Sequence, residues 1–532
     1  MVRSTFAGFT TALSGLSVSQ RGLDVTGQNM TNVNTAGYTR QRIDQVSFSA
    51  YGQTNRFNYR YATRIGHGAR INQVSQARDP FLDVRFRREM AASSEVNARS
   101  MVMDNLSDIF DETLKDGMLY LFEGFIGQLQ ELSKHPNDAD FEGIVRGAAE
   151  NITKMMYSYH LQVASIREQN EYQLNNVDIP RVNDILTSLA GLNENIREEL
   201  LCGNQPLELL DKRNLLLDEL SEYMKIDVQY SHTEIGKGIH VEDIEIFLIT
   251  DTIPQVRTNI LKNGDAAKFE GGIVAGQSYV YMNREGDVAR DVTHLITSGG
   301  IKGTLDMLNK SGAFDSPPTD IRGIGFYEQS LDALAQMFAQ MLNDANSRPN
   351  PGFDPEQPEH PVDNPKFLYD HPLFEAGDGS GRITASNIAL AQDWVRGDYS
   401  ITFSKDFPIT TGDDTSGARD NILAMISLFN EKVQFYNDYG QPLFNGTIIE
   451  YIKYNKDILA LDLNSEQSVA DSHELILHGI WDMRDSISSV NMDEEGVNLL
   501  RYRNAYNGAA RLMTTLDEAV DTIVNRMGIV GR

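Results

Sequence analysis

Cysteine is nearly missing from this sequence of 532 residues, and long apolar runs are missing altogether. The single cysteine, Cys202, excludes an intramolecular disulfide framework, as in a cytosolic protein or one exported unfolded. No apolar run reaches the roughly 18 residues that a membrane-spanning helix needs, so we expect no membrane insertion. The start, MVRSTFAGFTTALSGLSVSQ, is interrupted by Thr, Ser and Gly, which argues against an ordinary secretory signal.

Lysine and glutamate are both absent from the first 88 residues, which hold twelve Arg and four Asp for a net charge of +8. The whole chain carries −28, so the remainder carries −36. A basic leading segment can bind nucleic acid or an acidic protein surface. The arginines are scattered and the rest of the chain would repel phosphate. We therefore expect protein neighbours and no nucleic acid.

Recognisable catalytic and metal-binding patterns are also lacking. In HELILH the two histidines, His473 and His478, are five residues apart, whereas helical zinc ligands need a spacing of four. The glycine turns at 299–303 and 377–381 have no phosphate-loop lysine and hydroxyl. We expect no enzymatic activity, no metal and no cofactor, although a catalytic triad scattered through the fold stays open.

The first thirty residues carry two stripes with a seven-residue repeat, which is typical of a helix lying along other helices. The first stripe is mostly large and apolar and consists of Phe6, Phe9, Leu13, Leu16, Gln20, Leu23, Gly27 and Met30. The second is small throughout and consists of Gly8, Ala12, Gly15, Ser19, Gly22 and Thr26. Because glycine inside a helix costs about 1 kcal/mol relative to alanine, the small stripe predicts a second helix at close approach.

The last forty residues carry the cleanest heptad in the chain. Its members are Leu499, Tyr502, Tyr506, Ala509, Met513, Leu516, Val520, Ile523, Met527 and Val530. Asn491 followed by Glu494 predicts the helix start. Matching heptads at both ends predict a terminal coiled coil rather than two separate core helices.

Residues 29–42, NMTNVNTAGYTRQR, form a segment that we call the polar turn. Asn29, Asn32 and Gly37 predict a helix stop and a turn, after which Tyr38 and Arg40 begin an extended segment. This stretch resembles the N-terminal signature of the bacterial flagellar axial proteins, the rod, hook and hook-associated family. The matching residues are Thr35, Gly37, Tyr38, Thr39 and Arg40, with Ala36 where proline is usual.

The other end resembles the C-terminal signature of the same family. The match is carried by Asp493, Glu494, Glu495, Asn498, Leu499, Tyr506, Ala510, Thr515, Asp517, Glu518 and Thr522. The segments 77–90, 206–230, 298–309 and 386–390 are similar to the hook-associated members at the hook–filament junction. The resemblance implies an inner tube of paired terminal helices.

The expected fold class is α+β, mainly helical, with the terminal helices paired as a coiled coil. Residues 1–50 and 489–532 are expected to form the two halves of an inner axial domain. A helical middle domain is expected over 51–345, with a β-rich part at 226–297. A small mixed outer insert with a Pro-rich loop is expected over 346–420, and return helices over 421–488.

The resemblance implies a structural component of the flagellum, a hook–filament junction adaptor needed for filament assembly. Partners implied are copies of the chain itself, the hook protein, the next hook-associated protein and a flagellar export chaperone. The implied location is extracellular, at the junction, after type III export without a cleavable signal. Alternatives are a hook or distal rod protein and, from another class, a secreted coiled-coil adhesin or effector.

The candidate assembly interface comprises Phe6, Phe9, Leu13, Gly15, Leu16, Leu23, Asn29, Asn32, Gly37, Tyr38, Arg40, Leu499, Tyr502, Tyr506, Met513, Leu516, Val520 and Ile523. The terminal helices alone bury too little apolar surface to offset the conformational entropy of ordering them. We therefore expect termini that are mobile in the free chain and become ordered against neighbouring subunits.

Overall fold

The computed structural model describes residues 5–47, 68–110, 117–136, 138–234, 240–250, 256–262, 264–284, 288–349, 367–404, 418–437 and 440–526. Its helices are α1 (Thr5–Thr31), α2 (Pro80–Ile109), α3 (Met118–Lys134), α4 (Ala139–Gln173), α5 (Ile179–Leu201), α6 (Leu207–Tyr223), α7 (Gly300–Asn309), α8 (Ile324–Asn346), α9 (Gln392–Arg396), α10 (Asp420–Leu428), α11 (Ile448–Ser488) and α12 (Met492–Asp521).

The strands are short and antiparallel. They are β1 (Gln41–Ser47), β2 (Ala69–Gln76), β3 (Ile226–Glu234), β4 (His240–Ile249), β5 (Arg257–Lys262), β6 (Asp265–Ala266), β7 (Lys268–Val274), β8 (Gln277–Asn283), β9 (Arg290–Asp291), β10 (Arg348–Pro349), β11 (Phe367–Tyr369), β12 (Phe374–Ala376), β13 (Ile388–Leu390), β14 (Val433–Tyr436) and β15 (Pro442–Gly446). The prediction of a mainly helical α+β protein is confirmed.

The chain divides into two compact units. Unit 1 comprises Met1–Ala91, Asp184–Ala267 and His473–Arg532, and unit 2 comprises Ala92–Asn183 and Lys268–Ser472. Both terminal helices therefore belong to unit 1. The predicted division at residues 50, 345, 420 and 489 stays a prediction, and parts of the expected insert, 350–366 and 405–417, lie outside the described residues.

Unit 1 contains a four-stranded sheet in the order β3-β4-β5-β6. Strand β4 alternates in the sequence IEIFLI, and its Ile244, Ile246 and Leu248 are buried while the residues between them are more exposed. Helices α5 and α6 add further buried aliphatic side chains, which include Leu186 and Leu217. The β-rich character predicted from residue 226 onward follows from this alternation.

The core of unit 2 is aromatic. Phe122 and Phe125 of α3, Phe338 of α8 and Phe429 after α10 are fully buried, with ring centroids 5.1–6.4 Å apart. Most of these rings meet edge to face, which favours the interaction beyond simple area burial.

The long helical stretch of unit 2 is interrupted by one π-helical turn, Leu174–Asp178. Pro180 lies in the first turn of α5, where its missing N–H group removes a bond to the preceding turn. The helix type therefore changes directly before Pro180.

Between the return helices expected within 421–488, the structure has a β-hairpin that the sequence analysis did not predict. Helix α10 ends at Leu428, and β14 and β15 form a hairpin with Gly440 at φ +73°. The alternating segment VQFY buries Phe435, whose ring stacks on Tyr451 with centroids 4.0 Å apart. The two-residue period of this segment, which is typical of a strand, therefore outweighs helical propensity here. Helix α11 begins directly after the hairpin.

Candidate assembly interface

Helices α1 and α12 pack antiparallel within unit 1, and glycines of α1 mark the contact. A Cβ atom added at Gly8 would lie 3.0 Å from the Cδ atoms of Leu516, and one at Gly15 would lie 3.4 Å from Cβ of Ala509. A Cβ atom added at Gly22 would lie 2.4 Å from Cδ1 of Tyr502. The three pairs are spaced by seven residues on both helices, so one register holds along the whole contact.

The small-residue stripe of α1 is buried, and Val18 and Val25 of the same helix are buried as well. Ala12, Ser19 and Thr26 are at most 5% exposed, and Gly22 between them is buried as well. Its partner is α12 of the same chain. Because small side chains leave room for the backbones to approach, the large residues on this contact come from α12.

The large apolar stripe of α1 is left mostly outward. Leu13 is 61% exposed, and Phe9, Leu16 and Leu23 are partly exposed. The side chain of Phe6 lies outside the described residues. In the described part of the chain this stripe therefore remains available to a neighbour.

The C-terminal heptad faces α1 over most of its length. Leu499, Tyr502, Met513, Leu516 and Val520 are partly buried, which is more than most of the residues between them. Two predicted members lie at the margin of the contact, since Tyr506 is 37% exposed and Ile523 43% exposed. Asn491 caps the helix, and its side-chain oxygen accepts from the backbone N–H groups of Asp493 and Glu494.

Asn29 organises the polar turn. It is 1% exposed; its Nδ2 donates to the carbonyl of Gln41 at 2.9 Å, and its Oδ1 accepts from the Gln41 N–H at 2.9 Å. The hydroxyl of Tyr38 donates to the same Oδ1 at 2.9 Å. Burial raises the pKa of Tyr38 well above its usual range, so this donor stays protonated. The amide thereby ties the end of α1 to the start of β1.

The turn itself is local. The Asn32 side chain donates to the Gln28 carbonyl at 3.0 Å, and the Thr35 hydroxyl donates to Asn32 Oδ1 at 3.2 Å. Gly37 has φ +76°, a left-handed conformation that side chains disfavour. Gly37 therefore provides the turn although residue 36 is Ala36 and not proline.

Arg40 connects the polar turn to the start of α12. Its guanidinium donates to Glu494 at 2.7 Å and to Glu495 at 2.9 Å, and its backbone N–H donates to the carbonyl of Ser488 at 2.9 Å. Glu495 is 2% exposed, so this ion pair is largely shielded from water. The two family signatures therefore meet in space.

Asp211 of α6 was not predicted as part of the site. It is 6% exposed, accepts from the Thr39 N–H at 3.1 Å and from Gln76 Nε2 at 2.9 Å. Burial raises its pKa, and the bonds from Thr39 and Gln76 oppose that shift. Its place three residues before the buried Asn214 on the core face of α6 is the sequence signal that could have revealed it.

A chain of ion pairs lies beside the polar turn. Arg78 contacts Asp83 at 2.5 Å, and Arg484 contacts Asp83 at 2.9 Å and Asp218 at 2.5 Å. Arg87 then contacts Asp218 at 2.7 Å. We call these five residues the charge chain, and it joins α2, α6 and α11.

Across the ranges that the structure describes, no group of three or more His, Cys, Asp or Glu side chains could hold a metal ion. No helix in those ranges is long and apolar enough to cross a membrane. The Nδ1 atom of His473 lies 2.7 Å from Glu89, whereas His478 is exposed.

Comparisons with known proteins find flagellar hook-associated proteins among the matches. Residues 103–354 match the model of the flagellar hook-associated protein FlgK helical domain. The chain is 25% identical to flagellar hook-associated protein 1 of Bacillus subtilis, over 99% of this chain and 100% of that protein. It is 21% identical to flagellar hook-associated protein 1 of Salmonella typhimurium, over 97% and 98%.

A solved structure shares the fold. The flagellar hook junction protein FlgK from Burkholderia pseudomallei aligns with a TM-score of 0.55 at 12% identity, over 76% of this chain and all of that one.

Proposed function

Since this chain belongs to the flagellar hook-associated protein 1 family, we propose that it is a structural subunit of the bacterial flagellum, placed at the junction of hook and filament. The family is a structural one, and we assign the chain no enzymatic activity. Its mechanism is mechanical: it offers one set of surfaces to the hook and another to the filament side.

The main support for this proposal is the contact between the two ends of the chain. The signature residues around Arg40 and those around Glu494 and Glu495 lie far apart in the sequence and form one ion-paired cluster. The helices that they flank pack in a single antiparallel register. A unit built from both termini, with an outward apolar stripe on α1, is suited to stacking into a tube.

The site residues have distinct roles in this proposal. The stripe of Phe9, Leu13, Leu16 and Leu23 meets the terminal helices of neighbouring copies, because it is apolar and open. Gly15 and the α12 heptad hold the pair together within the chain. The polar turn, fixed by Asn29, seats against hook subunits.

The remaining partners follow from the place in the flagellum. We propose contacts with the hook protein on one side and the next hook-associated protein on the other. We also propose that the chain passes through the export channel without a cleavable signal. A chaperone binds its C-terminal region before export. The match to a hook-associated helical domain favours the junction over the alternatives of a hook or distal rod protein.

Gene deletion tests the assignment. We expect a strain without this chain to make hooks that bear no filaments and to release monomeric flagellin into the medium, and a plasmid copy to restore filaments. Electron microscopy of the cells and flagellin immunoblots of the medium measure both effects. Normal filaments in the deletion strain would refute the junction role.

A further inference from the structure

Unit 1 carries two surfaces that match each other and cannot meet within one chain. The first is a ridge on α2 made by Phe81, Val84, Arg85 and Arg88. Phe81 is 66% exposed and Val84 41% exposed, and both arginines are exposed. The guanidinium of Arg85 lies over the Phe81 ring at 5.9 Å. We call these four residues the basic ridge.

The second surface is a cleft of about 570 Å³ beside the polar turn. Its walls are α6, through Leu215, Asp218, Glu219 and Glu222, and α11, through Trp481, Arg484, Asp485 and Ser488. Leu215 is 45% exposed and Trp481 is 51% exposed, so apolar surface is open to solvent on both walls. We call this feature the acidic cleft.

The cleft carries uncompensated negative charge. The charge chain holds three arginines and two aspartates and so contributes +1, and Glu219, Glu222 and Asp485 bring the total at the cleft to −2. Glu222 and Asp485 form no ion pair with any residue that the structure describes. Burial, followed by the nearby carboxylates of Glu219 and Asp218, raises the pKa of Glu222. An incoming guanidinium would relieve that crowding.

The basic ridge has the opposite charge and the same length. Arg85 and Arg88 also lack an ion-pair partner among the described residues. The ridge residues recur at i, i+3, i+4 and i+7, and the wall residues of α6 and of α11 have the same spacing. Each element therefore spans two helical turns, about 10 Å. This is the pattern of a helix face that lies in a groove.

The ridge cannot enter the cleft of its own chain. Phe86 and Met90 of α2 line the cleft, and Phe86 belongs to the buried face of the helix with Leu82. The ridge lies on the other, exposed face of the same helix. A contact between two such different patches is heterologous, and repeated heterologous contacts build rings or helical tubes.

We propose that the basic ridge of one copy of this chain docks in the acidic cleft of the next copy. The proposal rests on the junction function above and names one lateral contact of that assembly. Opposite charges set the register, and the apolar residues of both surfaces are buried together.

Charge reversal tests this contact in cells that lack the native gene. One variant reverses the ridge, Arg85→Glu with Arg88→Glu, and another reverses the cleft, Glu222→Lys with Asp485→Lys. Alone, each variant presents like charges to its own copies, so we expect its incorporation into isolated flagella to fall about tenfold or more. Co-expressed, the two variants alternate with every contact attractive, so incorporation should return.

A matched control changes the same charge elsewhere on unit 1. Arg197→Glu with Arg257→Glu alters two half-exposed arginines outside both surfaces, whose ion pairs with Asp243 and Asp227 are long at 3.8 Å, and we expect near-normal incorporation. Normal incorporation of both reversed variants would overturn the contact. Failure of co-expression to restore incorporation, when both variants show wild-type circular dichroism melting, would overturn it as well.

A disulfide measurement keeps the proposal testable if a reversed variant folds poorly. In a Cys202→Ser background, Arg88→Cys with Glu222→Cys should give ladders of cross-linked chains in oxidised, isolated flagella. Only monomers after oxidation would contradict the contact. The proposed function is tested separately in the same strain. If a wild-type plasmid copy still leaves hooks without filaments, the proposed function fails, whatever the result for the contact.

Discussion

At the residue scale, the three glycines of α1 are not equivalent, although their spacing is regular. Gly22 faces the ring of Tyr502 so closely that an added Cβ atom would overlap it, whereas Gly15 faces only the methyl group of Ala509 at ordinary contact distance. The same chemical change therefore has opposite expected signs at the two sites.

We expect Gly22→Ala to weaken the helical pair by about 1–3 kcal/mol because the Tyr502 ring must move. Gly15→Ala should be neutral or stabilise the pair by up to about 1 kcal/mol through helix propensity. Hydrogen exchange of peptides from residues 8–31 measures both effects. Equal effects of the two substitutions would show that the glycine spacing does not define the contact.

Asp211 gives the polar turn a pH dependence. Its folded-state pKa is raised above the ordinary value of 3.8, so its contribution to stability is fully present below about pH 4 and is lost as the pH rises through the folded pKa. Asparagine cannot ionise, so the variant Asp211→Asn does not lose this stability as the pH rises.

We expect the melting temperature of Asp211→Asn, relative to the wild-type chain, to rise between pH 4 and pH 7. The variant also loses one of the two hydrogen bonds that Asp211 accepts, which lowers its melting temperature at both pH values. Thermal unfolding followed by circular dichroism at the two pH values measures the change. A relative melting temperature that falls over this range would contradict the burial argument.

At the element scale, the antiparallel pair of α1 and α12 orders the chain ends. The large apolar side chains at this contact come mainly from α12, since α1 supplies small residues to it. A charge placed on the inner face of α12 should therefore separate the helices, whereas a charge on its outer face should not.

We expect Leu516→Asp to destabilise the pair by about 2 kcal/mol and to block incorporation into flagella, because the carboxylate would be desolvated against Gly8. Val497→Asp is the control, since Val497 of α12 is 66% exposed. Immunoblots of isolated flagella compare the two variants. Normal incorporation of Leu516→Asp would show that the pair is not needed for assembly.

The sequence predicted these elements better than their partners. Heptad spacing identified both terminal helices, and the small stripe predicted a close helix, because periodicity reports which face is buried. It could not say that α12 takes the small stripe and leaves Leu13 exposed, since both stripes have the same period. Contacts such as Asp211 with Thr39 depend on tertiary packing, which local patterns do not encode.

At the scale of the whole molecule, the family match and the terminal helices lie in different parts of the chain. The match to the helical domain covers residues 103–354 and leaves both terminal helices outside it. The termini are instead described by the geometry of unit 1, where α1, the polar turn and α12 form one cluster. The proposal of a junction subunit thus rests on both the relatives and the packing of the ends.

We propose that neighbouring subunits complete the order of the terminal helices, and hydrogen exchange in the free and the assembled chain tests this proposal. The amides of residues 8–26 and 499–520 should exchange about tenfold faster or more in the purified chain than in isolated hook–junction particles, because the exposed stripe of α1 is covered only in the assembly. Equal, strong protection of both segments in the purified chain and in the particles would contradict the account.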